Sequence, residues 1–131
     1  MRQFKTIILP VLLATIWISI SEFVRNEFLL KSLWIKHYKE LGLTFPAAPI
    51  NGAVWGIWSL MFAIAVFIIA RKFTFWETVF LTWFVAFPMM WLVLGNLAVL
   101  PHMLILYAFP LSLLESFIAT LIVKKIPPSL N

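Results

Sequence analysis

A glutamate lies inside one of the most apolar stretches of the chain. Glu115 falls within residues 103–123, which are otherwise almost wholly Leu, Ile, Phe, Ala and a few small hydroxyl residues. An isolated carboxylate in hydrocarbon is so unfavourable that it is either held neutral or given a partner. No cation is expected at its depth, so we expect Glu115 to be neutral and hydrogen-bonded. Chemistry at this position would work through that proton or its loss.

Helical spacing places further polar residues near Glu115. Ser112 shares its helix face, and a second polar face earlier in the chain carries Ser19 and Glu22. Arg25 follows Glu22 by three residues, close enough to pair. At a rise of ~1.5 Å per residue, Glu115 lies roughly 13 Å and Glu22 roughly 22 Å from one membrane edge. This is the edge on the side of the two chain termini, which the positive charges described below assign to the cytoplasm. The predicted site is an outward-facing polar cavity with these ligand-binding residues: Glu115, Glu22, Arg25, Ser19, Ser112, Asn96 and Trp55.

The residue types do not indicate a disulfide, a metal site or a catalytic site. Cys is absent, which excludes disulfides and thiolate metal sites. The two histidines, His37 and His102, are far apart, and no catalytic motif is present. We therefore predict no cofactor, no metal, no catalytic residue and no nucleic-acid partner.

Four apolar segments must position these groups. The chain of 131 residues is 63% hydrophobic and 11% charged, which is far more apolar than a soluble domain. Segments of about 6–23, 52–70, 75–97 and 103–123 each approach the ~20 residues that cross hydrocarbon. The predicted fold is an all-α membrane protein, a single domain over 1–131 forming a four-transmembrane-helix bundle.

The connection after the first segment has a pattern of its own. Leu30, Leu33, Trp34, Tyr38 and Leu41 recur at helical spacing, with charged residues opposite. This predicts a short amphipathic interfacial helix of about 26–41 between helices 1 and 2. In the second segment Gly52, Gly56, Ser59 and Ala63 form a row of small residues that favours close helix contact.

Positive charges indicate the orientation. Six of the ten Lys and Arg residues fall at the N-terminus, after the second segment and after the fourth, which are alternate ends. By the positive-inside rule both termini are cytoplasmic, and the predicted location is a bacterial inner membrane.

Two resemblances accompany these patterns. The stretch from Glu22 to Gly42, with Phe28, Lys31 and Trp34 before a Leu-Gly turn, resembles a bacterial domain-of-unknown-function family of small four-helix inner-membrane proteins. That resemblance implies the fold and no activity. The chain is also similar to small multidrug-resistance transporters, in which a glutamate of the first helix couples proton and cation exchange; Glu22 would be its counterpart.

Several functions stay open at this point. The first is binding or transport of a small or amphiphilic ligand, with membrane lipid as a further partner. The second is an accessory subunit, or a homo-oligomer, that packs in a larger membrane complex through the Gly52/Gly56 row. The third is a small-multidrug-resistance-like transporter or a lipid-modifying enzyme. A cavity bordered by Glu115 and Glu22 would favour the first; the two glutamates buried against each other would favour the second.

Overall fold

The structure, a computed structural model, describes residues 1–126. A continuous helical stretch, Phe4–Leu29, comes first. It contains α1 (Leu9–Phe23) between two π-helical segments, Phe4–Ile8 and Val24–Leu29. The remaining helices are α2 (Lys31–Glu40), α3 (Pro49–Ala70), α4 (Phe75–Ala86), α5 (Pro88–Asn96) and α6 (Leu104–Lys125).

The prediction of an all-helical chain with four apolar spans is confirmed for this part of the chain. The four helical stretches long and apolar enough to cross a membrane are Phe4–Leu29, Pro49–Ala70, Phe75–Asn96 and Leu104–Lys125. Each matches one predicted segment to within a few residues, apart from the end of the first. An integral membrane protein is the class that this pattern fits.

The first helical stretch is longer than predicted. It continues past Phe23 to Leu29, and the amphipathic helix begins only at Lys31. The break falls at Leu30, a buried residue whose backbone (φ −116°, ψ 3°) leaves the helical region. Glu22 and Arg25, which lie near the predicted end of that segment, are buried inside the bundle.

The third predicted helix is divided in two. Phe87 separates α4 from α5 with φ −112° and ψ −66°, and Pro88 opens α5. Proline has no backbone N–H and its ring crowds the preceding turn, so the helix bends there. The bend leaves Phe87 fully buried, with its ring edge-on to Trp58 and Phe62 of α3.

Small side chains let the helices approach one another. α1 packs most extensively against α3, and Ala14 and Ala63 are fully buried in the core that these helices share with α6.

Side-chain hydrogen bonds also connect the helices. Trp17 Nε1 donates to the backbone oxygen of Glu115 at 3.0 Å. Lys124 Nζ donates to the carbonyl oxygens of Ala70 (2.9 Å) and Phe73 (2.8 Å), which ties the end of α6 to the end of α3.

The short helix α2 lies at the other end of the bundle. Trp34 stacks on Phe45 with ring centroids 5.8 Å apart, and its Nε1 donates to Asn26 Oδ1 at 3.1 Å. His37 Nε2 lies 2.8 Å from the carbonyl oxygen of Ala98, in the connection between α5 and α6. Ala98 adopts a positive φ of 60°. These contacts hold α2 and the 43–48 connection over the ends of the long apolar helices.

Candidate functional site

One arginine joins two buried acidic side chains from different helices. Arg25 Nη2 donates to Glu22 Oε1, and Arg25 Nη1 lies 3.9 Å from Glu115 Oε1. Glu22 is 4% exposed, Arg25 6% and Glu115 0%. The expectation that Glu115 has no cation at its own depth is therefore wrong.

The direction of helical side chains explains how these residues meet. Rise per residue alone places the backbone of Arg25 well above that of Glu115. However, side chains on a helix lean towards its N-terminus, and α1 and α6 run in opposite directions. The side chain of Arg25 therefore points from its backbone towards the level of Glu115, and that of Glu115 points towards the level of Arg25. The length of the arginine side chain covers the remaining distance between the two backbones.

Further contacts hold the cluster in place. Asn26 Nδ2 donates to Glu22 Oε2 at 3.0 Å and also to the backbone oxygen of Glu22 at 3.1 Å. The Arg25 guanidinium carbon lies 5.1 Å from the ring centroid of Phe87, a cation–π contact. Arg25 and Asn26 both lie in the π-helical segment Val24–Leu29, and such wider turns are frequent at functional sites.

Several buried polar atoms have no hydrogen-bond partner among residues 1–126. They are Arg25 Nη1, Glu115 Oε1 and Oε2, Ser116 Oγ and Thr120 Oγ1. Unpaired buried polar atoms are uncommon and unfavourable. Four of the five atoms belong to α6, and the expectation that the Glu115 carboxyl is hydrogen-bonded is not met among these residues.

A cavity of about 890 Å³ lies beside the cluster. It is bordered by the C-terminal part of the first helical stretch, the start of α3, α5 and the start of α6, with α2 and the 45–48 connection over it. Its polar lining includes Ser19, Glu22, Arg25, Asn26, Asn51 and Ser59. Its aromatic lining is Phe23, Trp34, Tyr38, Phe45, Trp55 and Trp91.

The predicted site residues divide into those that border this cavity and those that do not. Ser19, Glu22, Arg25 and Trp55 line it. Glu115 does not; it is fully buried behind Arg25.

Ser112 and Asn96 also lie outside the lining. Ser112 Oγ accepts from Trp83 Nε1 at 2.9 Å and donates to the carbonyl oxygen of Phe109 at 3.0 Å, so it fastens α6 to α4. Asn96 is exposed at the last residue of α5. The structure therefore brings together four of the seven predicted residues around one space.

Three residues of the site were not predicted. Asn26 follows Glu22 by four residues, a spacing that signals contact on one helix face. Trp34 was assigned only to the apolar face of α2, although its indole N–H holds Asn26. For Phe87, the only indication in the sequence is Pro88, which follows it and predicts a break in the helix. No grouping of three His, Cys, Asp or Glu side chains suited to a metal occurs among the described residues.

Comparisons of the chain with protein-family models, with curated proteins and with solved structures gave no match. The resemblance of the Glu22–Gly42 stretch to a four-helix family stays a prediction. The function must be argued from the site itself.

Proposed function

We propose that this chain is a multi-pass membrane protein that binds a small amphiphilic ligand in the cavity beside Glu22 and Arg25. The observation that carries the proposal is the cavity itself, about 890 Å³ in volume, with a buried ion pair in an otherwise largely apolar and aromatic wall. Small-molecule sites typically combine a mostly apolar lining with a few convergent polar groups. The hydrocarbon tail of an amphiphile matches the apolar lining, and its head group matches the polar residues.

The orientation belongs to the same proposal. The Lys and Arg bias supports cytoplasmic termini, and we propose a bacterial inner membrane in which the cavity faces the opposite side. In this arrangement α2 lies at the outer membrane surface, with its half-buried Leu33 and Trp34 towards the bundle and Lys36 towards water.

The accessory-subunit alternative is less well supported. It expects the two glutamates to be buried against each other, and both are buried beside Arg25. However, Glu22 and Arg25 also border a cavity, which this alternative does not require. Gly52 and Gly56, the proposed contact row, border it as well.

Photolabelling tests the proposal. The protein would be reconstituted into phosphatidylcholine nanodiscs with dodecanol that carries a diazirine on its chain, irradiated and digested. We expect labelled peptides to include residues that line the cavity, such as Trp55, Trp91 and Leu104. Excess unlabelled dodecanol should suppress that labelling, because a specific site saturates.

Exposed apolar residues outside the cavity are the internal control. Ile64, Phe80 and Leu114 are exposed and do not line it. Their labelling should persist under competition, since membrane solvation does not saturate. Labelling that is spread evenly over these surfaces, with none at the cavity, would refute ligand binding there.

A further inference from the structure

Two glycines of α3 leave open space in the wall of the cavity. At both Gly52 and Gly56, an added Cβ would meet no atom within 4 Å. One and two turns deeper on α3, Ser59 and Ala63 are fully buried. The row of small residues therefore allows close packing only in its deeper half, and the predicted helix contact does not extend to the glycines.

α1 and α3 both contribute to the wall of the cavity at this end of the bundle. Deeper in the bundle, Ala14 and Ile18 of α1 belong to the same buried core as Ala63. The lining from α1 includes Ile20 and Phe23, which are 54% and 57% exposed. We call the part of the cavity lined by Ile20, Phe23, Gly52 and Gly56 the α1–α3 gap.

The gap opens towards the lipid-facing side of the helices. Ile20 and Phe23 line the cavity and are also more than half exposed on the outside of the bundle. Apolar residues that both line a cavity and face outwards provide a continuous apolar path between the two. A hydrocarbon chain can lie along that path without contacting water.

The charge of the cluster restricts the head group. Glu22 is paired with Arg25, and Glu115 faces the same guanidinium, so their total charge is zero or negative whichever form Glu115 takes. Glu27, which also lines the cavity, is neutralised by Lys31 at 2.8 Å. An anionic head group would therefore lose its hydrating water and find no uncompensated positive charge to replace it.

We propose that the ligand is a single-tailed amphiphile whose head group carries no negative charge. Its tail lies in the α1–α3 gap along Gly52 and Gly56, and its head group contacts Glu22 and Arg25. This assignment rests on the proposed function, since it specifies what the cavity binds. Arg25 Nη1 faces Glu115 Oε1 at 3.9 Å and makes no hydrogen bond among the described residues.

A head-group series tests the charge assignment in the unmodified protein. Diazirine-bearing dodecanol, dodecyltrimethylammonium and dodecanoate would be compared at equal membrane concentration and at a pH where the carboxylate is ionised. We expect the first two to label the cavity and dodecanoate to label it at least about tenfold less, a difference of ~1.4 kcal/mol in binding. Equal labelling by dodecanoate would overturn the head-group assignment.

The position of the diazirine tests the placement of the tail. A diazirine at the far end of the dodecanol chain should label residues 52–56 of α3 and Phe23. A diazirine next to the hydroxyl should label the segment that carries Glu22 and Arg25. The opposite pattern would overturn the orientation of the ligand.

Glycine substitutions provide a matched comparison. Gly56→Leu and Gly52→Leu each place a bulky side chain in the gap, and nothing lies within 4 Å of either Cβ position. Each should reduce saturable dodecanol labelling by about tenfold or more. Gly95→Leu makes the same change in equally open space outside the cavity and should have no effect.

The two proposals fail in different ways. If no probe labels the cavity of the unmodified protein, ligand binding itself is refuted. If dodecanol labels the cavity as strongly in Gly52→Leu and Gly56→Leu as in Gly95→Leu, ligand binding stands and the placement of the tail is overturned.

Discussion

Arg25 is held between two carboxyl groups in the interior of an apolar bundle, and this contact defines what each of the three residues can do. Removing Glu22 from its ion pair with Arg25 leaves a buried charge without its directly bonded partner, which typically costs about 3–5 kcal/mol. Glu22 and Arg25 border the cavity, whereas Glu115 lies behind them. In the proposed binding mode, Glu22 and Arg25 contact the ligand directly, and Glu115 acts on it only through Arg25.

Substitution of Glu115 should depend on what replaces it. Glu115→Gln keeps an oxygen that faces Arg25 Nη1, so we expect a loss of less than about 1 kcal/mol. Glu115→Leu leaves Nη1 facing hydrocarbon and should cost about 1–3 kcal/mol. The free energy of unfolding in mixed micelles measures both.

Arg25 supplies the control for that comparison. In an Arg25→Met background the difference between Gln and Leu at position 115 should disappear, because the group that distinguishes them is gone. If Gln and Leu are equally stable with Arg25 present, Glu115 takes no part in a polar cluster.

Breaks in the helices, more than their regular parts, shape the site. The π-helical segment Val24–Leu29 continues the first helical stretch far enough to carry Arg25 and Asn26 inside the bundle. The bend at Phe87 and Pro88 then places an aromatic ring beneath Arg25. A straight α4–α5 helix would follow a different path from Phe87 onwards.

The hydrogen bond of Trp34 should hold α2 over the cavity. Trp34→Phe keeps an aromatic ring against Phe45 and removes the bond to Asn26 Oδ1, so we expect a loss of about 1 kcal/mol. Amide hydrogen exchange in residues 31–48 should become faster as α2 opens more often.

Trp76→Phe is the matched control for that substitution. Its ring is 58% exposed, and its indole N–H makes no hydrogen bond within residues 1–126. Exchange in 31–48 should stay unchanged in this variant. Unchanged exchange in Trp34→Phe as well would show that the Trp34–Asn26 bond does not restrain α2.

Two neighbouring lysines at the end of α6 should differ in their effect on stability. Lys124 Nζ bonds to Ala70 O and Phe73 O at the end of α3, where a cation also interacts favourably with the helix dipole. Lys124→Met should lower the free energy of unfolding by about 1–2 kcal/mol.

Lys125→Met removes the same charge from an exposed position and should change stability by less than about 0.5 kcal/mol. The comparison therefore separates the bonds of Lys124 from its charge. Equal losses in the two variants would argue against a role for the bonds to α3.

Considered as one unit, the molecule has two dissimilar ends. One carries Arg71 and Lys72 in the turn between α3 and α4, together with Lys124 and Lys125 at the end of α6. The other carries α2 and the cavity. If the chain is inserted as proposed, the ligand reaches the site from the outer side or from the membrane.

Cysteine accessibility should reveal this orientation, because the chain contains no Cys and each introduced thiol is unique. In intact bacterial cells that produce the protein, a membrane-impermeant maleimide should label Leu43→Cys and leave Lys72→Cys unlabelled. Both positions are exposed. Permeabilised cells should show labelling at both, and the reverse pattern in intact cells would place the cavity on the cytoplasmic side.

Much of the architecture could be predicted from local patterns. Hydropathy located four spans, and the spacing of Glu22 and Arg25 anticipated their ion pair. These features depend on residues that are neighbours along the chain, so their physical cause is visible in the sequence. The bend at Phe87 was missed although Pro88 signals it, because the apolar run continues through it.

The Arg25–Glu115 contact and the cavity depend on how separate helices pack. Rise per residue gives the depth of a backbone atom, whereas the contact depends on the lean and reach of two side chains from antiparallel helices. Likewise, Gly52 and Gly56 permit either close packing or open space, since a glycine specifies neither. The hydropathy of the chain therefore determined the helices, and the packing of α1 against α3 and α6 determined the partner of Glu115 and the position of the cavity.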